Sequence, residues 1–348
     1  MICVFSWSEL EAVLRMKKIV SRRALSLVEV LVTLTILGLM VQLMLPAVAA
    51  ARESARRLVC SQKLRRLAAA TRLHVEAKRH FPSGGWHFTW VGEPERGTGK
   101  QQPGGWVYNL LDYLDGAELR RLGQGVTDPF ARAAAIRQRC ATPLAEFICP
   151  SRRSVKPYPH EWNRQPFTQG GPLAIPLEHA AKTDYAANVG DSPLTEFDWR
   201  WQGPTSLTEG DNRRFAWPSS AGFTGVIYGR SWVRPTDIRD GESKTYLIGE
   251  KFMDAGKYET GNDWGDNENL FTGFNNDSCR STLGPPIPDL DGKDHRNQFG
   301  SAHVGAWLAA RCDGSVHAMS FEVDLATHRR LGNIRDGSGP RHQRGLQR

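Results

Sequence analysis

Three carboxylates and a glycine stand within one short loop, Asp289-Leu290-Asp291-Gly292-Lys293-Asp294. Hard oxygen ligands at alternating positions around a Gly turn suit Ca2+. No Glu follows at the closing position, so the loop is not a full EF-hand. The run Asn262-Asp263-Trp264-Gly265-Asp266-Asn267-Glu268 is a second loop of this kind, and each reads equally as a solvated acidic turn. His303 and Asp313 are the other pair able to do chemistry, as a base and its orienting acid. With extended chain between them they lie about 30 Å apart, so a dyad requires the chain to fold back. The alternative is that His303 bonds a loop and Asp313 sets a turn. Gly-x-Ser-x-Gly, a phosphate-cradling Gly loop and His-Glu-x-x-His are all missing from the sequence, and no enzymatic activity is expected. Cys-x-x-Cys is missing too, and the other histidines lack metal-ligand spacing, which argues against a local zinc motif.

The elements that must position these residues are strands and turns. Trp307 to Cys312 runs apolar into Asp313-Gly314, and Ser315 to Phe321 returns through Val316, Ala318 and Ser320, a β-hairpin pattern. Asp240-Gly241 reads as another turn, with a strand over Thr245 to Gly249 after it. With 34 Gly and 20 Pro in 348 residues, the body is turn-rich and sheet-containing rather than a helical bundle. Most of the 11 Trp lie mid-chain (Trp86, Trp90, Trp106, Trp199, Trp201, Trp232, Trp264), which reads as core and sheet packing, with carbohydrate contact as the alternative. Of the 6 cysteines, Cys60, Cys140, Cys149, Cys279 and Cys312 follow the apolar run, so an exported body is expected to hold one or two disulfides and at least one free thiol. Cys140 and Cys149 are the easiest pair to imagine, but sequence does not fix the connectivity.

From Leu25 to Ala51 the only charge is Glu29. A run of roughly 20 apolar residues crosses a bilayer as a helix, and a carboxylate within it is costly. Pro46 falls inside the run, where it removes one backbone bond and bends the helix. Helical spacing continues through Val48, Ala51, Ala55, Leu58, Leu64, Leu67, Leu73 and Val75, and Phe81-Pro82-Ser83-Gly84-Gly85 is the expected stop. The net charge of +8 would permit nucleic-acid binding. The basic residues instead flank the apolar run, at Arg15, Lys17, Lys18, Arg22 and Arg23 before it and Arg52, Arg56, Arg57, Lys63, Arg65 and Arg66 after it. The first group places the N-terminus in the cytoplasm. The second faces lipid headgroups or neighbouring subunits, and nucleic acid is not an expected partner.

Basic residues, a small residue and then Leu25-Ser26-Leu27-Val28-Glu29 resemble the cleavage and methylation site of type IV prepilins and type II secretion pseudopilins. The resemblance implies a cut by prepilin peptidase between Ala24 and Leu25, methylation of the new amine, and a role for Glu29 in pairing with the terminal amine of a neighbouring subunit. The family usually has Gly before the cut and Phe after it, and Ala24 keeps only the small size. Met16-Lys17-Lys18 reads as the natural start, with Met1 to Arg15 an upstream extension. An ordinary signal peptide is the competing reading, with a small-x-small site within Ala47 to Ala51.

Further blocks resemble the DUF1559 family, of planctomycete type. Its C-terminal mark is a His, nine residues and Asp-Gly, here His303 to Asp313-Gly314. Asp237 to Lys251, including Asp240 and Gly241, resembles a second block; Phe147 to Ser151, Thr183 to Asn188 and Trp106 to Leu114 resemble three more. Val304 departs from the usual Pro. The resemblance implies an α+β fold: a long N-terminal helix, transmembrane and then stalk, packed on an antiparallel β-sheet head, pilin-like with large insertions. The expected organisation is a leader over 1–24, a transmembrane segment over 25–51, a stalk helix over 52–80, a β-rich head over 81–340 and a tail over 341–348. In the major pseudopilins a calcium loop lies near the C-terminus, which favours Ca2+ at Asp289, Asp291 and Asp294. The expected function is that of a structural subunit of a type II secretion or type IV pilus-like filament, single-pass in the inner membrane with its head outside the cytoplasm. Its partners would be prepilin peptidase and other pilin subunits. An exported binding module for glycans or proteins, and a hydrolase using His303, are the alternatives.

Overall fold

In the computed structural model, residues 26–160, 167–168, 171–172, 176–198, 200–201, 203–335 and 337 are described. Ala24, Leu25 and Trp199 lie outside these residues, as do the leader and the 341–348 tail. The chain divides into two compact units, one ending at Arg52 and the other beginning at Glu53.

Helix α1 spans Leu27–Lys78 without interruption and contains Pro46. Ser26 and Glu29 form a reciprocal capping box at its start: Glu29 N–H donates to Ser26 Oγ (3.2 Å), and Ser26 N–H donates to Glu29 Oε2 (2.9 Å). Thr33 and Thr35 turn their hydroxyls back onto the carbonyls of Val30 and Leu31, so neither needs a partner outside the helix. Side chains of the first unit are exposed all round, Leu31, Leu37 and Leu45 among them, and the helix is long and apolar enough to cross a membrane.

In the second unit α1 buries Cys60, Leu64, Leu67, Ala68, Thr71 and His74. This stripe differs from the expected one: Leu58 and Leu73 are exposed, and Cys60, Thr71 and His74 take the inner face. Polar residues lie inside because each finds a partner there; Thr71 donates to the Leu67 carbonyl, and His74 Nδ1 lies 3.1 Å from the His80 carbonyl. The helix ends where Arg79 turns left-handed, φ 66°, just before the expected stop.

Short helices follow: α2 Trp106–Leu110, α3 Ala117–Arg121, α4 Pro129–Ala141, α5 Leu207–Asp211 and α6 Leu325–Gly332. Paired two-residue strands flank the body: β1 (Tyr158–Pro159) with β4 (His179–Ala180), β2 (Phe167–Thr168) with β3 (Gly171–Pro172), and β8 (Ile287–Pro288) with β9 (Gly300–Ser301). The main sheet holds β5 (Tyr185–Asn188), β6 (Tyr246–Glu250), β7 (Cys279–Arg280), β10 (Ala306–Arg311) and β11 (Val316–Ser320), ordered β11-β10-β6-β5-β7. Its pairs are antiparallel except the edge pair β5–β7, which is parallel.

The hairpin forms as its sequence pattern requires, with Trp307 opposite Met319 and Ala309 opposite His317. Gly314 supplies its left-handed turn, φ 90°, and Gly241, φ 96°, does the same before β6. Leu308 and Ala310 face the main core with Leu64 and Leu67 of α1, whereas Trp307 and Ala309 face a smaller cluster of Tyr246, Phe299 and Leu331. Both faces are covered, which is why β5 and β6 are buried at every position. Gly249 is required by contact: a β-carbon there would meet Trp307 Cζ3 at 2.4 Å.

Of the aromatics singled out in the sequence, Trp86, Trp90 and Trp106 are wholly buried, as core packing requires, whereas Trp232 and Trp264 are partly exposed. Four of the basic residues after the apolar run have partners within the second unit. Arg56 pairs with Glu53, Arg66 with Glu146, Lys63 donates to the Ile148 carbonyl and Arg57 to that of Val304. Arg57, Lys63 and Arg66 tie the helix to the head, and Arg56 adds a bond from its Nε to Ser151 Oγ.

Candidate functional site

Four distant segments converge beneath the helix. Glu53 and Cys60 stand two turns apart on α1, Cys149 opens a turn, Glu250 ends β6, and His303 follows β9. Nδ1 of His303 lies 2.5 Å from Glu53 Oε1, and its Nε2 lies 3.2 Å from Glu250 Oε1 and 3.9 Å from Cys149 Sγ. The sulfurs of Cys60 and Cys149 are 3.2 Å apart. The four candidate ligand atoms, Cys60 Sγ, Cys149 Sγ, a Glu250 carboxylate oxygen and a His303 ring nitrogen, all lie within 4.8 Å of one another and are buried.

Each side chain is held by its own segment. Cys149 N–H donates to Asp184 Oδ2 (2.5 Å), and the Arg152 and Arg153 N–H groups both turn back onto the Cys149 carbonyl. Glu250 Oε2 accepts the Leu308 N–H of the neighbouring strand at 2.9 Å. Its Oε1 has no partner in hydrogen-bond geometry despite the approach of His303. The His303 N–H donates to Ser301 Oγ. Glu53 is fixed in turn by Arg56, which approaches it through Nε (2.9 Å) and Nη2 (2.6 Å), and by the Ser151 hydroxyl.

Electrostatics follow the contacts. Burial draws the His303 ring down, but its contact with Cys149 and the charge of Glu250 outweigh it and push the ring up to about 10. Burial raises Glu53, yet bonds from His303, Arg56 and Ser151 hold it below the usual carboxylate range. The Cys149 thiol is pushed well up by its contact with Cys60 and by burial. The imidazole is fully enclosed, with no face open to a substrate.

A buried ionic network adjoins the cluster. Arg152 binds Asp289 through Nε (2.8 Å), Arg153 binds Asp184 (2.6 Å) and Asp266 (2.5 Å), and Lys251 binds Asp266 (2.9 Å). This network accounts for the acidic loops. Asp289 also accepts from the Tyr258 hydroxyl and the Met253 N–H, Asp291 sits over Gly256, and Asp294 is paired with Arg296. In the second loop Asp263 accepts the Asp254 and Gly265 N–H groups while Asp266 serves the network. Asp289 and Asp294 thus have separate charged protein partners.

The other singled-out residues have structural posts. Asp313 accepts from the Ser315 N–H and hydroxyl and sets the hairpin turn, so His303 and Asp313 serve different neighbours. Gly314 and Gly241 supply turn conformations, and Asp240 is buried beside the latter. All five described cysteines are free thiols, which corrects the expectation of one or two disulfides. Cys140 packs with Val91 and Ile136 in a cluster of its own, and the sulfur beside Cys149 is that of Cys60. Local ligand spacing does not report the convergence, because its members lie in four separate segments. A signal was nonetheless present: three of the blocks quoted above contain Cys149, Glu250 and His303.

An α+β head continuous with a helix long and apolar enough to cross a membrane is compatible with an exported or membrane-anchored protein. Over residues 49–326 the chain matches the family described as protein of unknown function (DUF1559), and it belongs to that family. No curated protein and no solved structure matches the chain. The matched region contains Glu53, Cys60, Cys149, Glu250 and His303.

Proposed function

We propose that the chain is a pseudopilin-like or minor-pilin-like subunit of a type II secretion or type IV pilus-like filament. Prepilin peptidase cuts it between Ala24 and Leu25, and the new amine is methylated. The N-terminus lies on the cytoplasmic side of the inner membrane and the head outside. Its work is mechanical: helices of neighbouring subunits pack together while the heads meet one another or cargo, and chemistry is performed on the chain, not by it. The observation that carries this reading is Glu29, the one carboxylate of the apolar run, placed four residues after Leu25.

Glu29 has a local role as well, since it completes the capping box with Ser26. Glu29→Gln separates the two roles, because Gln serves a capping box as Glu does but cannot pair as an anion with an amine. Chemical cross-linking in native membranes is expected to give multimers with the wild type and monomers with Glu29→Gln at equal membrane content. Equal multimers from both would overturn the pairing role of Glu29, and monomers from both would overturn the filament.

A further inference from the structure

We propose that Cys60, Cys149, Glu250 and His303 form a closed, four-ligand site for a structural transition-metal ion of the zinc type. The inference is independent of the filament reading, because it rests on the head alone. Two thiolates, one imidazole and one carboxylate suit Zn2+ rather than the hard cations Ca2+ and Mg2+, which take oxygen ligands. With zinc bonds of roughly 2.0–2.3 Å in a tetrahedron, ligand atoms stand about 3.3–3.8 Å apart. Here the two sulfurs are 3.2 Å apart, His303 Nε2 is 3.2 Å from Glu250 Oε1 and 3.9 Å from Cys149 Sγ, and the whole set lies within 4.8 Å.

Two further observations point to an ion. Glu250 Oε1 is fully buried, faces the cluster and lacks a partner in hydrogen-bond geometry, although buried carboxylate oxygens are ordinarily satisfied. His303 presents its other nitrogen to Glu53 at 2.5 Å, and Glu53 is itself held by Arg56 and Ser151. Metal-bound histidines are commonly supported by such a carboxylate, which fixes the tautomer with Nε2 free to bind. Binding displaces the protons of the two thiols and of Nε2 to solvent. The divalent ion then faces two thiolates and the Glu250 carboxylate, while Arg56 offsets Glu53. All four ligands are enclosed and no position is left for substrate, which makes the site structural. It would tie α1 to the Cys149 turn, the end of β6 and the His303 loop.

A disulfide between Cys60 and Cys149 is the rival outcome, since an exported head meets an oxidising compartment. Their sulfurs stand 3.2 Å apart, well beyond a bond of about 2.05 Å.

The test is metal analysis of the full-length protein, purified in detergent without chelator, together with Co2+ substitution of the apo protein. Close to one zinc per chain is expected, and Co2+ should show intense tetrahedral d–d bands with a thiolate charge-transfer band. Cys149→Ser should abolish the charge-transfer band or shift it strongly. Glu250→Gln, which keeps the shape of the side chain, should weaken Co2+ affinity by at least tenfold while preserving the circular dichroism of the fold. Peptide mapping that finds Cys60 joined to Cys149 without metal would overturn the proposal. So would metal-free protein with both thiols reduced that gives no tetrahedral cobalt spectrum.

Discussion

Nδ1 of His303 meets Oε1 of Glu53 at 2.5 Å, joining the loop after β9 to a helix residue 250 positions earlier in the chain. The partner of His303 is not Asp313 but a carboxylate on the helix, and Glu250 flanks the ring on the other side. Asp313 builds the hairpin turn.

Removing Glu53 should therefore loosen the helix from the head. Glu53→Ala leaves the buried His303 ring without its acceptor, at a cost of about 1–3 kcal/mol. Glu53→Gln, still able to accept from His303, should lose less. Denaturant midpoints of the two variants check the order, and equal losses would mean that the contact contributes through packing alone.

Asp266 should be more sensitive than any surface acid. It binds Arg153 and Lys251 with no solvent access, and although burial raises its carboxyl, those two cations hold it below its ordinary range. Asp266→Asn leaves buried Lys251 without its carboxylate and Arg153 with Asp184 alone, and is expected to cost about 3–5 kcal/mol. Glu259, half-exposed and paired with half-exposed Lys156, is the control; Glu259→Gln should leave the midpoint unchanged.

Two buried histidines give the head an acid limit. Burial, with neighbouring positive charge from His80, draws His74 from 6.5 down to about 3, and burial draws His328 down to about 4. His328 lies against the rings of Trp307 and Tyr246, and neither of its nitrogens has a hydrogen-bond partner. The folded-state values lie below the unfolded ones, so the unfolded chain takes up protons first as pH falls. The contribution of these two rings is complete above about pH 6.5 and is lost as pH drops toward 4, by several kcal/mol for the two together. Melting curves across that range should show His328→Phe with a shallower acid decline than the wild type; parallel curves would contradict the assignment.

Much of the scaffold was legible in the sequence because its signals are local. The uninterrupted apolar run, the stop after His80, and the Asp-Gly turns at 240–241 and 313–314 each follow from neighbours in the chain. The inner face of the helix was not legible, because Cys60, Thr71 and His74 carry no apolar mark and are buried only by partners distant in sequence. The partners of the acidic loop were not legible for the same reason. Arg152 beside Asp289 and Arg296 beside Asp294 are placed there by the fold. The parallel edge strand and the thiol–histidine cluster are likewise products of tertiary pairing, which periodicity does not report.

The central claim concerns what happens at the N-terminus, and mass spectrometry of the mature protein from its own membranes tests it most directly. The account expects the chain to begin at an N-methylated Leu25, with Glu29 the fifth residue. A chain that begins near Ala51, or one that keeps its leader uncut, would contradict it and leave the head as a secreted or merely tethered domain.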